Sequence, residues 1–125
     1  MRKELVGAGA AFGLVMVGTH LGLTGLLGAH PFWAVKVGYI GALVGLVLAV
    51  GFWWMRVGFG LKLTLAAGLL ILAAGVAALG KARFAASYAE DALAGKMWFF
   101  GWIGIVVAVF LTLFVGIGLR PAARR

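Results

Sequence analysis

Residues 97–119 read MWFFGWIGIVVAVFLTLFVGIGL, from Met97 to Leu119, and carry no charge. A hydrocarbon core of about 30 Å is crossed by roughly 20 apolar residues in a helix, so this stretch is long enough to span a bilayer. Three further stretches of similar character precede it, at 5–27, 33–55 and 59–79. Together the four take up 90 of the 125 residues. The expected fold class is an all-α membrane protein, a four-transmembrane-helix bundle with short loops. A single integral membrane domain fills residues 1–125.

Composition supports this class. The chain is 65% hydrophobic, against roughly 45–50% apolar in ordinary soluble domains. Met1, Arg2 and Lys3 ahead of an apolar run resemble the start of a signal peptide. The run is too long for an h-region and no A-x-A site follows, so it reads as a retained first helix. The net charge of +8 comes from eleven Lys and Arg against three acids. These cations sit at the ends of the apolar stretches, not in a soluble patch, so the expected partner is the lipid bilayer, including anionic lipids, and not nucleic acid. The absence of cysteine excludes disulfides, thiolate metal sites and thiol redox chemistry.

The connections are short. Residues 29–32, with Pro31, make one turn, and residues 57–60 supply Gly58 and Gly60 for the next. Residues 84–96 form the one sizeable polar link, where a short interfacial helix over 82–92 and a break at Gly95 are expected. Pro121 ends the last helix. In a four-span topology Arg2, Lys3, Arg56, Lys62, Arg120, Arg124 and Arg125 share one side. Lys36, Lys81, Arg83 and Lys96 share the other, beside Glu90 and Asp91. Seven against four places both termini in the cytoplasm, and the expected location is a bacterial cytoplasmic (inner) membrane. Trp33, Trp53, Trp54, Trp98 and Trp102 mark the helix ends, where Trp anchors at headgroup depth.

Small residues in membrane helices let backbones approach closely. Gly9-x3-Gly13 and Gly18-x3-Gly22 in the first stretch and Gly41-x3-Gly45 in the second are the candidate helix-packing positions among 21 glycines. The third stretch is Ala-rich and the fourth bulky. The first three are therefore expected to pack together, with the fourth turning Phe110, Phe114 and Ile117 to lipid or a partner.

Few residues carry chemistry. His20 lies about 22 Å along the first helix, in the outer third of the membrane. A titratable side chain at that depth is a functional candidate by default. It is the candidate cofactor-binding residue, toward haem or a quinone. The alternative is a structural imidazole bonded to a Thr hydroxyl (Thr19 and Thr24 are near in sequence) or to a backbone carbonyl. His30, Glu90 and Asp91 share the outer side, and imidazole with carboxylate suits a divalent transition metal. Lys36 and Lys62, in the first turns of their helices, snorkel to headgroups. No acid falls at mid-membrane and no Ser/His/Asp set exists, which argues against a carboxylate-coupled antiporter and a membrane hydrolase. The intramembrane glutamate of the small multidrug exporters and the Asn-bearing motif of the fluoride channels are both absent.

Three functions fit. The leading one is a non-catalytic helix-packing or accessory subunit, assembling with itself or with other membrane subunits. The second is a haem- or quinone-associated redox anchor using His20. The third is an oligomeric channel or carrier for a small solute.

Overall fold

The computed structural model describes residues 2–121; Met1, Arg124 and Arg125 lie outside the described residues. Five helices follow in order: α1 (Arg2–His20), α2 (Leu23–Leu27), α3 (Ala34–Trp54), α4 (Phe59–Ala86) and α5 (Ala92–Gly118). No strand occurs among the described residues. The helices α3, α4 and α5 are long and apolar enough to cross a membrane, which marks an integral membrane protein.

The first apolar stretch is not one helix over 5–27. It breaks at Leu21 and Gly22. Gly22 has φ 81°, a left-handed conformation that glycine adopts without a Cβ clash. Its N–H donates to the Thr19 carbonyl at 3.1 Å, a closing bond one residue short of the α-helical spacing. What remains is α1, 19 residues long, with Arg2, Lys3 and Glu4 at one end and His20 at the other. This polar load at both ends is why α1 does not match the other three in apolar length. The five-residue α2 closes at Gly28, φ 130°, where the Ala29 N–H returns to the Thr24 carbonyl at 2.9 Å.

The polar link is also shorter than expected. The α4 helix runs through an Ala-rich segment to Ala86 without an intervening interfacial helix, because Ala favours continuation. A turn over 87–91 reverses the chain, with Tyr88 and Ala89 at positive φ. Ser87 Oγ accepts the Asp91 N–H at 2.9 Å, and Asp91 Oδ1 caps α5 by accepting the Ala94 N–H at 3.0 Å. Gly95 therefore lies inside α5 and does not break it.

Packing reverses the expected order of helices. The bulky α5 is the centre of the molecule, and Phe110, Leu111 and Val115 are its largest fully buried side chains. Small residues on the surrounding helices receive it. Gly41 and Gly45 of α3 sit against Val106 and Phe110. Gly7 of α1 sits against the Gly118 backbone. On the α4 side, a Cβ at Gly101 would lie 2.6 Å from the Ala77 nitrogen, and one at Gly80 would lie 2.5 Å from the Trp98 nitrogen. In lipid, where apolar burial gives little driving force, such close approach supplies dispersion contacts that hold helices together. Phe110 and Phe114 thus face the interior, and of the three residues assigned to an outer face Ile117 alone is exposed.

The contacts form a triangle of α1, α3 and α5, with α4 packed along α5 and making no comparable contact with α1, α2 or α3. One flank of α4 is therefore left open toward α2.

Candidate functional site

His20 ends α1, and the break at Gly22 turns the following residues away from its face. Thr24 accordingly does not meet His20. Its hydroxyl donates to the Ala34 carbonyl at 2.7 Å, while the Thr19 hydroxyl donates to the Val15 carbonyl at 2.8 Å. The partner of His20 is Tyr39 on α3, with Nε2 and the phenol oxygen 2.9 Å apart and the rings edge to face. The pair lies on an exposed surface of the α1–α3 seam.

His30 lies elsewhere. Its Nδ1 accepts the Phe32 N–H at 3.0 Å. Its ring stacks on Trp33, with centroids 6.0 Å apart, and meets Trp98 edge to face at 5.3 Å. Trp33 and Trp98 are 5.2 Å apart, and Phe84 and Phe99 extend this aromatic group. The expected metal set of His30, Glu90 and Asp91 is not assembled: among the described residues no three His, Asp or Glu side chains converge. The reason is local, since His30 is held by the aromatics and Asp91 is used as a helix cap.

The packing glycines divide. Gly41 and Gly45 contact α5, whereas a Cβ at Gly18 would meet Leu23 alone. Gly9, Gly13 and Gly22 have nothing within 4 Å where a Cβ would stand. Gly22 serves the chain break; Gly9 and Gly13 point away from the other helices.

A feature that sequence reading missed joins α2, α4 and α5. Trp98 and Trp102, expected at headgroup depth, are buried within the chain at 9% and 7% exposure. Trp98 Nε1 donates to the Gly28 carbonyl at 3.0 Å, tying α5 to the end of α2. The Lys81 ammonium lies over the Trp98 ring, 5.9 Å from its centroid. Beside them, in the open flank of α4, is a cavity of about 410 Å³ whose walls include Gly28, Ala74, Ala78, Lys81 and Trp102. The i, i+4 spacing of Trp98 and Trp102 was the available signal, since it puts both rings on one face of α5. None of these groups forms a nucleophile–base pair. No known protein family, no curated protein and no solved structure matches this chain.

Proposed function

We propose that this chain is a non-catalytic membrane module that works within an assembly, packing against copies of itself or a larger membrane complex. In this reading α1 with α2 is a fourth span. It packs on α5 at Gly7 and then runs beside α3 from the Thr19–Gly38 contact to the Thr24–Ala34 hydrogen bond. Both termini lie in the cytoplasm of a bacterial inner membrane, following the basic residues.

The observation that carries the assembly is the outward set of small residues. Gly9 and Gly13 on α1 and Gly60, Gly68 and Gly75 on α4 have nothing within 4 Å of a Cβ position. Each costs roughly 1 kcal/mol of helix propensity relative to Ala, and its Cβ position faces no other helix among the described residues. Helix–helix contact in lipid is the use such residues have.

The test is particle size in mild detergent. Gly9→Leu with Gly13→Leu, or Gly68→Leu with Gly75→Leu, should yield a smaller particle while the unfolding temperature of the chain is retained. Unchanged size in both double variants would reject the reading.

A further inference from the structure

We propose that the groove between the end of α2 and the outer half of α4 is a binding site for one anionic phospholipid, its phosphate held by Lys81 and Trp102 and one acyl chain lying along α4. This goes beyond assembly and does not depend on it.

Two donors at the groove lack acceptors. Trp102 is more than nine-tenths buried, yet unlike Trp98 its indole N–H donates to no group among the described residues. The N–H itself is not sealed inside the chain, and an unpaired donor facing the apolar interior of a bilayer is unfavourable, so an acceptor from outside the chain suits it. Lys81 lines the same groove, and its cation contacts the face of Trp98 but no carboxylate among the described residues. Gly28 brings the two together. A Cβ there would lie 3.4 Å from Lys81 Nζ and 4.0 Å from Trp102 Cζ2, and its φ of 130° also requires glycine. A cation beside a free N–H selects an anionic oxygen over a neutral carbonyl.

The depth is right for a headgroup. Lys81 stands 22 residues after Phe59, about 33 Å along α4, which is roughly the thickness of the hydrocarbon core. Below it, Ala78 and Ala74 line the groove over about 10 Å toward the membrane interior. Their small side chains leave the width an acyl chain needs. The cavity, about 410 Å³, falls within the roughly 300–1,000 Å³ range of ligand sites.

The experiment is native mass spectrometry of the full chain in neutral detergent, titrated with phosphatidylglycerol or phosphatidylcholine of identical acyl chains. The wild type should retain phosphatidylglycerol about fivefold more tightly, the worth of one cation near an anionic headgroup. Lys81→Gln should abolish the preference, and Trp102→Phe should weaken phosphatidylglycerol retention without loss of fold. Ala78→Leu should reduce both lipids by filling the groove, while Lys96→Gln should leave the preference intact. Equal retention of the two lipids by the wild type would overturn the proposal. So would an undiminished preference in both Lys81→Gln and Trp102→Phe, or displacement of the phospholipid by a quinone.

Discussion

Gly101 has no room for a methyl group. Its Cβ position is 2.6 Å from the Ala77 nitrogen and 2.8 Å from the Ala77 Cβ, so neither backbone nor side chain can yield cheaply. Gly101→Ala should therefore push α4 off α5 and destabilise the chain by about 1–3 kcal/mol. Gly51→Ala, at an open position within α3, should be neutral or slightly stabilising. Thermal unfolding of the two variants in one detergent checks this, and equal midpoints would show that the α4–α5 contact is looser than described. The same scale holds the His20–Tyr39 pair. A double-mutant cycle with His20→Ala and Tyr39→Phe should return a coupling of about 0.5–1.5 kcal/mol, as for one net hydrogen bond. A Soret band in the purified protein that disappears with His20→Ala would instead make this histidine a haem ligand. Sequence spacing marked Gly41 and Gly45 as well as Gly9 and Gly13, but spacing shows only that two glycines share a face. Which face turns inward depends on bulky partners such as Val106 and Phe110, and those belong to a helix 60 or more residues away in sequence.

At the scale of elements, the long apolar helices were legible because length and lack of charge decide them. The break in the first stretch was not, because hydrophobicity runs unbroken through Leu21, Leu23, Leu26 and Leu27 while the conformational change rests on Gly22 alone. The sequence does not show the central place of α5 for a related reason: bulky residues suit both a lipid face and a central helix ringed by small ones. The groove beside Lys81 is not legible in the sequence because three elements form it, and no single one of them shows it. The break has a consequence of its own. Gly22→Ala places a side chain at φ 81°, at a cost of roughly 1–2 kcal/mol. It should lower the unfolding midpoint or drive α1 and α2 toward one continuous helix, with increased helical circular dichroism. No change in either signal would mean that Gly22 is not what holds the break.

For the whole molecule, the proposed four-span topology puts the turn at Tyr88 on the side opposite the termini, and Tyr88 is 92% exposed. Tyr88→Cys should be labelled by an impermeant thiol reagent from the outer side of intact cells. Labelling from the cytoplasmic side alone would invert or break the four-span arrangement. Mass is the most direct measure of the proposed assembly. Native mass determination of the wild-type chain, extracted in mild detergent, should give a particle of two or more chains, or one chain with a larger membrane partner. A lone 13.0 kDa chain in every mild detergent that preserves its fold would contradict it.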